Sequence, residues 1–186
     1  RDHLVGQDAE GRPFVMGTYP MLLDETCFFL AMDLDKADWK SDAQVLLATC
    51  REQGLPVAVE RSRSGNGAHL WLFFEEAIPA AVARKLGTHL LTETMERRPE
   101  LGFASYDRLF PNQDTLPRGG FGNLIALPLQ GLARASGNSV FVDRSLRPYD
   151  DQWAFLSGLR RLPTEDVRAI VAQATRTGRI VGVRAV

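Results

Sequence analysis

Cys27-Phe28-Phe29-Leu30-Ala31-Met32-Asp33-Leu34-Asp35 is the stretch on which the reading of this chain turns. The opening residues form an apolar run of strand length, and a run without polar interruption suits a strand buried on both faces. It ends in acidic residues. Asp33 and Asp35 stand two apart, so the period of a strand aims both carboxylates at one face, roughly 7 Å apart at Cα. Two oxygen donors at that spacing suit hard cations such as Mg²⁺. Paired ions roughly 3.5–4 Å apart can hold the attacking and leaving oxygens of a phosphoryl transfer. By itself a D-x-D also describes a solvated strand end, because Asp33, Asp35 and Asp38 all favour turns.

Working outward, residues 1–26 carry Gly6, Gly11, Pro13, Gly17 and Pro20, which break any long element and predict a loop-rich entry with one short strand. After the acidic strand, Ala43, Leu46, Leu47 and Cys50 share one helical face behind Ser41 as N-cap, with Gly54 as the stop. Residues 56–60 and 68–74 read as two strands of a hairpin around Arg61-Ser62-Arg63-Ser64-Gly65-Asn66-Gly67. A helix follows, with Pro79 in its first turn and an end near Pro99. Residues 103–109 predict another acidic strand, carrying Asp107, and 124–129 one more after a Gly- and Pro-rich loop. Helical patterns close the chain at 151–159 and after Thr164. The order strand, helix, strand, strand, helix, strand is that of an α+β sheet of the split βαβ, RNA-recognition type with helices on one side.

The length of 186 residues, 45% apolar and 24% charged, predicts one globular domain. It divides into the entry at 1–26, a core at 27–130 and a mainly helical part at 131–186. No apolar run approaches the roughly 20 residues of a bilayer span, and the N-terminal stretch is charged from Arg1 to Arg12. The chain therefore reads as cytoplasmic, without a membrane partner. Its start without Met and its abrupt end at Val186 suggest an excerpt of a longer protein. Cys27 and Cys50 lack any C-x-x-C or zinc spacing and read as reduced core thiols. A net charge of −1 does not advertise a polyanion binder, although Arg61/Arg63, Arg97/Arg98 and Arg160/Arg161 form local basic clusters.

Two further candidates stand in the chain. Asp107 ends an apolar-aromatic stretch and is a possible third carboxylate from a neighbouring strand; a surface ion pair is the plainer alternative. The loop Ser62, Arg63, Ser64, Gly65, Asn66, Gly67, Ala68 and His69, with Arg61 before it, offers hydroxyls, cations and glycine-freed amides of the kind that bind phosphates. It is neither a P-loop nor a nucleophile elbow. His69 alternates with Trp71 and Phe73 on one face, where a satisfied core histidine is the bland alternative. A Ser64/His69/Asp107 hydrolytic triad leaves Asp33 and Asp35 unexplained.

Together, the D-x-D of Asp33 and Asp35, Gly67-Ala68-His69 and Tyr106-Asp107 resemble, in order, the D-x-D, s-x-H and h-D motifs of archaeo-eukaryotic primases. The resemblance is closer to the primase-polymerase domains of TOTE conflict systems. It is carried by Ser-Tyr-Asp-Arg-x-Phe-Pro-Asn-Gln-Asp at 105–114, Gly-Asn-Leu-Ile-Ala-Leu-Pro-Leu at 122–129, and the segments 138–143 and 151–153.

This resemblance implies a primase catalytic core, an RNA-recognition-motif-like sheet packed against helices with a small N-terminal α/β module. It implies Mg²⁺ or Mn²⁺ on Asp33, Asp35 and Asp107, and a nucleoside triphosphate held by His69 and the loop before it, with Asn123 as a further polar contact. Template-dependent nucleotidyl transfer on a single-stranded DNA or RNA template and primer follows, with a helicase in the same parent chain. A small residue two before the histidine, Ser in many relatives, is Gly67 here, and Ser64 is the expected source of the hydroxyl. The rivals are a two-metal nuclease using the same carboxylates and a non-catalytic RNA-recognition-like module that stacks bases on sheet aromatics.

Overall fold

The computed structural model describes residues 1–35, 38–97 and 106–180. Its centre is a five-stranded antiparallel sheet made of β2 (Thr26–Asp35), β3 (Ala58–Arg61), β4 (Gly67–Pro79), β5 (Tyr106–Phe110) and β7 (Val140–Val142), in the order β5-β2-β4-β3-β7. Without β7, that order is the split βαβ arrangement expected from the sequence, with α2 (Trp39–Glu52) and α3 (Ala80–Arg97) as the crossovers. The fold is α+β, as expected.

Strand alternation sorts the sheet into two faces. Leu30, Met32 and Leu34 of β2 and Leu70, Leu72 and Phe74 of β4 point one way and are fully buried. The helices cover this face: Gly87 of α3 lies against Leu30 and Leu109, and Ala43, Leu46, Leu47 and Cys50 line the buried stripe of α2. Amphipathic α6 (Thr164–Arg176) packs on α3 through Val167, Val171 and Ala174. Both thiols are free and buried, and burial pushes each up to about 12, far from reactive thiolate character.

The entry segment is anchored at a distance in sequence. Here α1 (Asp2–Val5) packs on α4 (Gly131–Ala135), while β1 (Gly17–Thr18) pairs with β6 (Ile125–Ala126) as a separate two-stranded sheet. Buried His3 accepts from the Met16 amide at Nδ1, so its Nε2–H donates to Pro128 O at 3.0 Å. Gln130 caps α4 through its oxygen and donates to Gly6 O and Phe14 O.

Several boundaries differ from expectation. Helix α2 starts at Trp39 behind Asp38, which leaves Ser41 inside its first turn, because burying Trp39 extends the apolar stripe by one turn. Pro79 is the last residue of β4, opposite Thr26, and the helix begins at Ala80. The strand expected at 124–129 shrinks to Ile125–Ala126, paired outside the main sheet. The last part of the chain supplies α4, α5 (Gln152–Ser157) and α6, and also β7 at the sheet edge. The expectations for residues 98–105, namely the helix end near Pro99 and the start of the acidic strand at 103, lie outside the described residues.

Candidate active site

The sheet face turned away from α2 and α3 carries the polar residues. One cross-strand row runs Arg108, Asp33, His69, Glu60, Phe141 through β5, β2, β4, β3 and β7, each residue the register partner of the next. Directly opposite residues share a face, so the five side chains form one line across the sheet. Asp35 lies one step along β2 on the same face, opposite Gly67. Strand β2 continues through both acids, so the carboxylates sit on regular strand backbone and not in a turn beyond it.

Asp107 reaches this face through an irregularity. Asp33 pairs with Arg108 but Leu34 pairs with Tyr106, so β5 carries one extra residue at this point. Such a bulge sets two successive side chains against one partner and re-aims them. Accordingly Asp107 and Arg108, neighbours in sequence, form an ion pair at 2.5 Å. Asp107 is thus both the surface ion pair that its position suggested and a third acid beside Asp33.

The electrostatics fit this crowding. Burial raises the Asp33 pKa above the usual carboxylate value; His69 lowers it, Asp107 and Asp35 raise it, and Arg108 lowers it, with a net rise. His69 lies between two carboxylates, with Nδ1 2.9 Å from Glu60 Oε2 and Nε2 3.5 Å from Asp33 Oδ1. Burial acts to lower the His69 pKa, but the Glu60 hydrogen bond and the charges of Glu60 and Asp33 outweigh it and raise it. With both ring nitrogens so engaged, the imidazole is not arranged as a base for Ser64, and a Ser64/His69/Asp107 triad is not formed.

Other expected contacts are committed elsewhere. Arg61 donates to Gly137 O at 2.9 Å and to Leu146 O at 2.7 Å, clamping the 137–146 segment to the sheet edge. In the hairpin loop, the amides of Ser62, Gly65 and Asn66 bond to Gly67 O, Ser62 O and Ser64 Oγ, so the turn itself uses part of the expected amide cradle. Gly65 turns the tip at φ +77° against Asn138, and Arg63, Ser64 and Asn66 are exposed. Asn123 donates to Leu109 O at 3.4 Å, which ties the glycine-rich loop to β5.

Gly67 is required by packing. A Cβ there would sit 2.5 Å from Leu34 O, so no side chain fits without moving β2. Ser62 Oγ stands 3.4 Å from that Cβ position and 3.1 Å from Ser64 Oγ. The hydroxyl beside the motif's missing serine is therefore that of Ser62, with Ser64 bonded behind it.

Of the three basic clusters, Arg97 pairs with Glu52 and Glu93, and Arg160 donates to Gly54 O; neither joins the acidic row. The guanidinium beside the acids is that of Arg108, which sequence reasoning did not single out. Glu60 was missed as well, and Ser62 and Trp71 were read only as part of the loop and of the His69 face; the one signal for Glu60 was its place at the end of a strand.

A model of the archaeo-eukaryotic primase domain of the TOTE conflict system matches residues 1–170, and the chain belongs to that family. This is a family of primase and nucleotidyltransferase domains. No curated protein matches the chain.

Asp33, Asp35 and Asp107 offer hard carboxylate oxygens on one face, and their mutual repulsion favours a bound cation, so the donor chemistry fits Mg²⁺ or Mn²⁺. Among the described residues, no group of three or more His, Cys, Asp or Glu side chains is drawn together closely enough to hold a metal ion. Likewise, no helix among the described residues is long and apolar enough to cross a membrane.

Proposed function

We propose that this domain is a template-dependent nucleotidyltransferase, a primase-polymerase that joins nucleoside triphosphates to a 3′-hydroxyl with release of pyrophosphate. The observation that carries this reading is the placement of Asp33, Asp35 and bulged Asp107, from two strands, on one sheet face, with His69 next in the row. Asp33, Asp35 and Asp107 would hold the Mg²⁺ or Mn²⁺ ions. When bound, those ions neutralise charge on the triphosphate and favour deprotonation of the attacking hydroxyl.

The protein's own groups orient and bind. His69 presents Nε2 beside Asp33 as a donor to the incoming triphosphate, not as the base. The exposed tip of the hairpin, with Arg63, Ser64 and Asn66, is the natural place for the phosphate tail. Arg108 offsets the charge of Asp107 and adds positive potential where nucleotide and template phosphates enter.

The RNA-recognition-like alternative needs exposed sheet aromatics, yet Trp71 is buried and stacks with Phe73 at 5.9 Å. The two-metal nuclease would use the same acids with water as nucleophile. Incubation with Mn²⁺, labelled template-primer and nucleotides separates these readings. Primer extension is expected. Degradation alone would favour the nuclease, and tight strand binding without metal-dependent chemistry the binding module.

A further inference from the structure

Glu60 is 2% exposed, and a buried carboxyl group must find donors. Its Oε2 accepts from Trp71 Nε1 at 2.9 Å and lies 2.9 Å from His69 Nδ1, while Oε1 lies 3.5 Å from Ser139 Oγ. An indole N–H only donates, so Trp71 fixes Oε2 as an acceptor. The nitrogen facing that acceptor from His69 is therefore the one that carries hydrogen. Trp71 also meets the imidazole edge-on, with ring centroids 6.0 Å apart at 84°, which restricts the ring plane. Ser139 in turn accepts from the Gln130 amide, so the carboxyl is braced from the segment that anchors the N-terminal module.

We infer that Glu60 is the positioning residue of His69: it accepts from Nδ1–H and so leaves Nε2 facing Asp33, where the ring, protonated at both nitrogens in the bound complex, donates Nε2–H to the incoming triphosphate, an assignment that rests on the nucleotidyltransferase reading above. Glu60 touches no substrate; with its oxygens occupied and its side chain buried, it acts only through His69. The arrangement is that of a carboxylate orienting a working imidazole, in which the partner of one ring nitrogen decides what the other nitrogen does.

Two substitutions separate positioning from simple packing. Glu60→Gln retains an amide oxygen that can accept from both Trp71 and His69, with its NH₂ turned to the Ser139 hydroxyl. Glu60→Met keeps the length and removes the acceptor. Nitrogen NMR of His69, recorded at a pH where its ring is neutral, is expected to show the Nδ1–H form in wild type and in Glu60→Gln, and a shift towards Nε2–H in Glu60→Met. Titration with a nucleoside triphosphate should show Glu60→Met binding roughly 10–100-fold more weakly and Glu60→Gln largely restored. On a His69→Ala background, Glu60→Met should cost nothing further.

An Nε2–H ring in wild type overturns the proposal, as does an undiminished penalty of Glu60→Met without His69. Should Glu60→Met fail to fold, the wild-type and Glu60→Gln spectra still decide. Absence of triphosphate binding in wild type, with the Nδ1–H form present, would overturn the nucleotidyltransferase reading and leave Glu60 as the orienting group.

Discussion

The two faces of the central sheet are built from alternate residues of the same strands, yet they obey different rules. On the helix side, Leu30, Met32, Leu34, Leu70 and Leu72 are fully buried, and each contributes roughly 1.5–3 kcal/mol by leaving water. On the other side the same strands present Asp33, Asp35, Glu60 and His69, where burial and like charge raise the Asp33 pKa. One face stabilises the fold; the other is held in place by it. Work on a surface of this kind requires groups placed against their electrostatic preference, which only a rigid apolar layer beneath can enforce.

The sharpest way to break this contrast is to remove an acid. Asp33→Ala or Asp35→Ala should lower nucleotide incorporation by about 10²–10³-fold or more while the protein stays folded, read by primer extension beside circular dichroism. The reciprocal change is Leu30→Ala on the apolar face of the same strand. It should cost about 2–5 kcal/mol in urea unfolding and leave the nucleotide KM of the folded fraction unaltered. If both substitutions damaged stability and catalysis alike, the division of labour between faces would be wrong.

His69→Ala sharpens the contrast within the polar row. Loss of a hydrogen bond to a charged group is worth about 1.5–3 kcal/mol, so the nucleotide KM should rise roughly 10–100-fold while metal binding survives. Activity equal to that of Asp33→Ala would argue against the distinct role given to the imidazole.

The smallest expected effect is one of sign. Because folding raises the Asp33 pKa, the folded state binds this proton more tightly than the unfolded chain. That contribution to stability is present below the ordinary carboxylate pKa and lost as the pH rises through the raised value. Asp33→Asn, which imitates the protonated form, should therefore raise Tm at neutral pH, by roughly 2–4 °C for each kcal/mol of strain relieved, and the gain should vanish in acid. A fall in Tm at neutral pH would show that the acid is not held at a cost.

Much of this was legible in the residues. An apolar run ending in D-x-D defines a buried strand and one face for both acids, and the order of elements was enough to give the split βαβ sheet. What stayed hidden depends on partners distant in sequence. Glu60 looked like a strand end until pairing set it beside His69 and Trp71. Arg61 read as a phosphate ligand, because nothing local shows that the carbonyls of Gly137 and Leu146 claim its guanidinium. The glycine at 67 read as a departure from a motif, whereas the approach of Leu34 O makes it a requirement. The buried anchors His3 and Gln130 bind the entry segment to residues more than a hundred positions away.

The extra residue in β5 also bears on how reliably the chain assembles. Were β5 to pair with β2 in an unbroken ladder from Phe110 onward, Asp107 would fall opposite Leu34 and be driven into the hydrocarbon under α3. A misregistered copy thus carries its own penalty, and correct docking of this strand is policed by the charge of Asp107 itself.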